Sequence, residues 1–207
     1  MYKLYWAADS GALAPQILLE EAGVEYEREI YDLEAGDEYS NAFLAINPRG
    51  QIPALTLPDG NVITESAAIC LHIAESFPDA NLLPAIGSAA RAQVYRWLMY
   101  SVANLYETVL RLYYSDRYTT DAENQSPVEE MARTDLDRAW ALLDAELGDG
   151  PFVLGADYSI IDPYLLMLIN WHEQPDELRA RHPKLGVLYA SVLNRQATQR
   201  IWTQHFP

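Results

Sequence analysis

The chain has 207 residues, half of them apolar, with a net charge of −16 and a single cysteine. That apolar content excludes intrinsic disorder, and the length suffices for one large domain or two small ones around real cores. So acidic a body repels phosphate backbones, which excludes nucleic acid as a partner, and no apolar run approaches the roughly 18 residues of a membrane-crossing helix.

The first 80 residues alternate strand and helix signals. YKLYWA (2–7) reads as a short strand. SGALAPQILLEEAG (10–23) reads as a helix, with Ser10 placed to cap it and Gly23 to stop it. Pro15 falls early enough in that helix to be tolerated. VEYEREIY (24–31) alternates as a strand, and GDEYSNAFLAIN (36–47) fits a short, irregular helix. IPALTL and NVIT flank Pro58-Asp59-Gly60 and form a hairpin, because Asp-Gly suits a tight reversing turn. ESAAICLHIAESF (65–77) is a helix ended by Pro78. A strand-helix-strand unit crosses over to make parallel strands and a hairpin adds antiparallel ones, so a small mixed sheet with helices against it is expected.

PDANLLPAIGS (78–88) reads as a linker, and from Ala89 onward strand signals vanish. Residues 88–118 form a long, aromatic-rich helical run. Residues 126–147 open on Ser126, Pro127 and Glu129, a good helix start. Residues 159–173 give a third helix, and 176–205 supply two or three short ones. The expected fold is therefore an α/β domain over 1–80 followed by an all-α domain over 89–207. The opening MYKLYWAADSG lacks the ordered regions of an export signal, and the lone Cys70 has no internal partner; both point to the cytoplasm. The charge is uneven: residues 1–80 carry Lys3, Arg28 and Arg49 against fourteen acidic residues, a local balance of −11.

Chemistry gathers in NPRGQIPALTLPDGNVITES (47–66). Proline is normally confined to strand edges, first positions or bulges. A cis Ile52–Pro53 bond, which proline tolerates at about 0.5–1 kcal/mol, turns the N–H and C=O of Ile52 outward, where an extended peptide pairs with them as another strand would. A few residues on, Glu65-Ser66 opens a helix whose free N–H groups, positive dipole end and Ser66 hydroxyl suit a carboxylate. Singly, an X-Pro turn and a Glu-Ser helix start are ordinary features. Their order and spacing fit a small anionic peptide.

The stretch NPRGQIPALTLPDGNVITESAAICLHIAESFPDANLLP resembles the glutathione-binding half of the cytosolic glutathione transferases, and SGALAPQILLEEAGVEYE and LGADYSIIDPYL (154–165) extend the resemblance. It implies a thioredoxin-like N-terminal domain, a helical domain lining the electrophile site, a homodimer, and a role in detoxification or a dedicated catabolic step. Glutathione is the implied co-substrate, held by Ile52, Pro53, Glu65 and Ser66, with a small electrophile as the second substrate and no metal. Ser159 and Asp162 stand where a helix begins. The hydroxyl is expected to accept from the Asp162 N–H while the carboxylate reaches back to the donor at Ser159, a folding device.

The family's task is to make the glutathione thiol nucleophilic. A free thiol has a pKa of about 8.5, and lowering it by about two units takes roughly 2.7 kcal/mol of thiolate stabilisation. In relatives the donor is a tyrosine, serine or cysteine near the end of the first strand or the start of the first helix. The matching window is YWAADSGALAP. Ser10 is the favoured donor and a plain helix cap is its other reading. Tyr5 is a second candidate, and the backbone N–H groups of Gly11 and Ala12 are further contributors. No cysteine lies in the window. Relatives often supply a basic residue after the second strand; YDLEAGDEYS holds none, leaving Arg49 as the nearby cation for the glycyl carboxylate. Tyr106 falls about where relatives present a substrate-facing side chain, or packs in the core. The four histidines show no metal-ligand spacing, and Cys70 falls in a buried helix. Two readings follow: an enzyme that directs glutathione onto a hydrophobic electrophile, or a non-catalytic binding module on the same fold.

Overall fold

β1 (Tyr2–Trp6) lies parallel to β2 (Tyr26–Ile30) and antiparallel to β3 (Ala54–Thr56), which pairs antiparallel with β4 (Val62–Thr64), so the order is β2-β1-β3-β4. Its inner position explains its composition: Leu4, Tyr5 and Trp6 are all buried, on both faces. The edge strands are different. β2 exposes Glu27 and Arg28, and such charges protect an edge from further pairing. The computed structural model describes residues 1–206 and divides into two units.

The first unit comprises Met1–Pro84 and the segment from Val192 onward. Between β1 and β2 runs α1 (Leu13–Glu21), buried from Leu13 through Leu19, which packs against α3 (Ser66–Ser76) and α10 (Gln196–His205). Burial on so many sides explains its continuous apolar run better than a single amphipathic face would. Gly23, at φ +64°, takes the left-handed turn that stops it. The regular helix begins three residues later than Ser10, because Ser10 to Ala12 form a separate turn closed by the Ser10 carbonyl on the Leu13 N–H at 3.1 Å. The 36–47 segment resolves into a 3₁₀ turn, Asp37–Tyr39, and α2 (Asn41–Leu44), capped by the Ser40 hydroxyl accepting from the Phe43 N–H at 3.3 Å.

The last helix joins this unit rather than the helical one expected over 89–207. The Trp6 indole N–H is shared between Gln16 Oε1 at 2.6 Å and His205 Nε2 at 2.9 Å, and Gln16 Nε2 donates to Tyr26 and to Gln204 at 3.0 Å each. Arg195 holds Glu21 and Arg200 holds Glu20. These links fix α10 on α1 and on the end of β1.

The second unit, Ala85–Ser191, is helical. α4 (Ala89–Tyr100) continues through a π-helical stretch, Ser101–Tyr106, into α5 (Glu107–Tyr113). α6 (Gln125–Glu146) and α7 (Ile161–Asn170) follow, then α8 (Pro175–Arg181) and α9 (Pro183–Leu193), which belongs to this unit as far as Ser191. α7 is buried from Ile161 through Ile169, with Trp140 of α6 and Tyr164 among the largest enclosed side chains. At its start Asp162 Oδ2 accepts the Ser159 N–H at 2.7 Å, as expected. The Ser159 hydroxyl, however, donates to the same oxygen at 3.2 Å instead of accepting from the Asp162 N–H, which goes to the Ser159 carbonyl at 3.1 Å. A carboxylate oxygen is the stronger acceptor, and it draws the hydroxyl proton.

Candidate functional site

The strand directions bring three chain segments to one end of the sheet. β4 is parallel to β1, so both leave at that end, and β3 enters there. The turn before α1, the residues before β3 and the start of α3 are therefore neighbours. Register tightens the arrangement: Ala54 pairs with Tyr5 on one side and with Thr64 on the other. Ile52 and Pro53 accordingly lie beside the chain leaving β1 and the chain entering α3.

The Ile52–Pro53 peptide bond is cis. Ile52, 9 % exposed, makes no hydrogen bond with another described residue through either its N–H or its C=O. Main-chain groups are nearly always paired in folded proteins, so an unpaired pair at a strand's start is an unfilled position in the sheet. The turn leading to it is built by Asn47, which is 3 % exposed. Its Nδ2 donates to the Gln51 carbonyl at 2.6 Å, its Oδ1 accepts the Arg49 N–H at 3.1 Å, and its carbonyl accepts the Gly50 N–H at 2.9 Å. Gly50 is at φ +59°, and a Cβ there would meet the Tyr39 ring at 3.0 Å and the Glu38 carbonyl at 3.2 Å. Glycine is required on both counts. The NPRG run carries the signal for this turn, although the part played by Asn47 is not apparent from sequence.

Glu65 has φ +68° and Asp9 φ +45°, in the region that L side chains rarely adopt. Such conformations cost about 1–3 kcal/mol each and gather at ligand sites. Here they sit at the entries to α3 and α1. Ser66, 7 % exposed, is the first residue of α3, and the Glu65 carboxylate lies 3.7 Å from Arg49 Nη1. Arg49 also donates through Nε to Gln51 Oε1 at 2.9 Å. Among the described residues Tyr31–Ser40 offer no cation. Their acids close their own turns instead, Asp32 accepting the N–H groups of Glu34 and Ala35, and Asp37 that of Asp32.

Ser10 is 6 % exposed; its hydroxyl donates to the Ala7 carbonyl at 2.7 Å and accepts the Ala12 N–H at 3.2 Å. Tyr5 lies on the opposite face of β1 from Trp6, by the strand's alternation. There its ring meets Tyr31 and the buried Phe43 of α2, and its hydroxyl accepts from Thr56 Oγ1 at 3.2 Å. Tyr106 belongs to the second unit, where its ring packs edge-on against Trp171 with centroids 5.3 Å apart and also meets Tyr164. Cys70 is fully buried in α3, and burial pushes its thiol pKa well up, so it stays protonated. Among the described residues no His, Cys, Asp and Glu side chains group as a metal ion would require.

Comparison with known proteins agrees with this geometry. Residues 1–75 match the glutathione S-transferase N-terminal domain. Glutathione S-transferase GstA of Escherichia coli O157:H7 is 32% identical over 174 residues, 82% of this chain and 81% of the relative. A glutathione transferase homologue from Sulfitobacter, solved with bound glutathione, superposes with a TM-score of 0.92 at 25% identity, over 100% of this chain and 99% of that one. A sphingomonad glutathione S-transferase complexed with glutathione gives 0.83 at 28% identity, over 98% of each chain.

Proposed function

The chain belongs to the glutathione transferase family, and from that premise we propose that it binds reduced glutathione at the strand ends of its first unit and activates the thiol against a hydrophobic electrophile. The observation that carries the reading is Ile52, whose main chain is unpaired beside the first turn of α3. An extended peptide supplies the missing strand partner through its cysteinyl N–H and C=O. One of its carboxylates then falls at the start of α3, where the Ser66 N–H and hydroxyl meet it and the helix dipole favours negative charge. The Glu65 carboxylate takes the ligand's ammonium group, and Arg49 is the cation for its other acid.

Once bound, the thiol releases its proton to solvent and the thiolate is held by donors at the turn before α1. Its electron pair forms a carbon–sulfur bond, and the electrophile's leaving group departs with the pair of the bond that breaks. Orientation of the thiolate and its lowered pKa are the protein's contributions. In the second unit Tyr106, half-buried beside Trp171, is the side chain proposed to face a hydrophobic electrophile. The homodimer and the cytoplasmic location implied by the resemblance belong to the same proposal.

Calorimetry with glutathione and turnover of chlorodinitrobenzene test it together. Wild-type protein should bind, and Ser66→Ala should weaken binding about tenfold, the value of one hydrogen bond to a charged group. Equal affinities would move the ligand away from α3. Binding without turnover would leave the non-catalytic module, which the missing cation at Tyr31–Ser40 favours.

A further inference from the structure

The sequence leaves the thiolate donor open among Ser10, Tyr5 and the main chain around Gly11 and Ala12. Hydrogen-bond chemistry narrows the choice. A carbonyl only accepts, so the 2.7 Å contact between Ser10 Oγ and the Ala7 carbonyl uses the one proton Ser10 has. An N–H only donates, so the 3.2 Å contact with Ala12 makes Oγ an acceptor. What remains on Oγ is a lone pair, which repels a thiolate. Tyr5 points to the other face of the sheet, under Phe43. The Ala12 N–H meets Ser10 Oγ and the Leu13 N–H meets the Ser10 carbonyl. Within this turn the main-chain N–H groups of Ser10 and Gly11 have no partner among the described residues, and that of the buried Gly11 is the one nearer the start of α1, where the helix dipole favours an anion.

We infer that the Gly11 main-chain N–H is the donor to the glutathione thiolate, and that Ser10 is a positioning residue that clamps the turn presenting it. The inference rests on the proposed glutathione site and deepens it. A buried N–H without a partner carries its desolvation cost in the free protein, so an arriving anion gains the full strength of that bond. The Ser10 clamp holds the turn closed on both sides: toward β1 through Ala7 and toward α1 through Ala12. The thiol's proton goes to water, and no side chain of the turn has to change its protonation state.

Proton–nitrogen correlation spectra of the full chain provide the test, with glutathione and S-methylglutathione each titrated across the pH range in which the thiol ionises. With glutathione, the Gly11 amide proton should move downfield in step with the ultraviolet absorbance of the bound thiolate. S-methylglutathione, which has no ionisable sulfur, should produce no such pH-dependent movement. Ser10→Ala should lower the melting temperature and raise the thiolate's pH midpoint by less than loss of the Gly11 N–H does, and Ser10→Thr should restore both. Gly11→Pro, which deletes the N–H, should raise that midpoint by about one pH unit, a tenfold loss of thiolate at fixed pH. A Gly11 resonance indifferent to sulfur ionisation, or a midpoint raised by about one pH unit in Ser10→Ala, overturns the inference while Ile52 and Ser66 still respond to ligand. If Ile52 and Ser66 do not respond either, the binding reading fails with it. The wild-type spectra decide the matter even if neither variant folds.

Discussion

A fully enclosed carboxylate is stable only where donors meet its oxygens, and Asp162 satisfies that condition within a few residues of chain. Oδ1 accepts the Val153 N–H at 2.8 Å, while Oδ2 takes both the N–H and the hydroxyl of Ser159. The side chain therefore ties the start of α7 to the loop ahead of it. In Asp162→Asn, an NH₂ group faces one of these N–H donors and the charge that strengthens the bonds is gone. The variant should lose about 2–4 kcal/mol of stability, measured by urea unfolding. Its glutathione affinity at temperatures where it stays folded should match wild type, since Asp162 belongs to the second unit. A loss below about 1 kcal/mol, the size of one ordinary neutral bond, would show that the network contributes no more than a surface cap. The three-residue spacing of Ser159 and Asp162 is legible in the sequence, but the direction of the hydroxyl is not. That direction depends on the closed turn, in which the Asp162 N–H goes to the Ser159 carbonyl and the hydroxyl is left facing Oδ2.

At the scale of elements, α10 is the part of the fold whose place depends most on one polar contact. His205 Nε2 lies 2.9 Å from the Trp6 indole nitrogen and 2.8 Å from Gln16 Oε1, while Nδ1 has no partner among the described residues. Burial first, and then the charge of Arg28, hold this imidazole down at about 4 against an ordinary 6.5. The unfolded chain takes up the proton as pH falls through 6.5, whereas the folded chain takes it up only near 4. Across that interval the unfolded state binds more protons, so stability is full above 6.5 and declines toward 4, by about 3 kcal/mol from this one group. Glu29, Glu146 and Glu173, each held below the usual carboxylate range by a hydrogen-bonding partner, add losses of the same sign at lower pH. The useful measurement is therefore a difference. His205→Gln, which keeps an acceptor for Trp6, should flatten the curve of unfolding free energy between pH 6.5 and 4 relative to wild type. Identical slopes would mean that the imidazole ionises in the folded protein without cost. Helix type for 176–205 follows from local sequence, as two or three short helices, of which α10 is the last. Its docking onto α1 does not, because a contact between positions 6 and 205 leaves no mark on either neighbourhood.

Across the whole molecule, the change from alternating strands and helices to helices alone is readable, since it follows from hydrophobic period and from the break at 78–88. The convergence of the site is readable only in part. Ile52, Glu65 and Ser66 stand out by residue type, whereas the unpaired Gly11 N–H and the left-handed Asp9 and Glu65 are properties of the closed backbone.

Charge operates at this same scale. The first unit holds a balance of −9, and Arg49 is the only cation between Glu29 and Ala90. Glutathione carries one more carboxylate than ammonium, so the proposed site sets short attractions from Arg49 and the α3 start against repulsion from the unit as a whole. Salt separates the two. Interactions reaching beyond a Debye length, about 10 Å at 0.1 M, are screened first, while contacts within a partly buried site are screened much less. Raising salt from low to physiological ionic strength should therefore tighten glutathione binding, by roughly twofold to fivefold on the scale of surface potentials of a few kT. The glutathione monoethyl ester, with one carboxylate masked, should show a smaller change. Calorimetric dissociation constants for both ligands over a salt series provide the measurement. Weakening of glutathione binding with added salt would mean that the local cation outweighs the acidic body, and that Arg49 is the dominant charge the ligand meets.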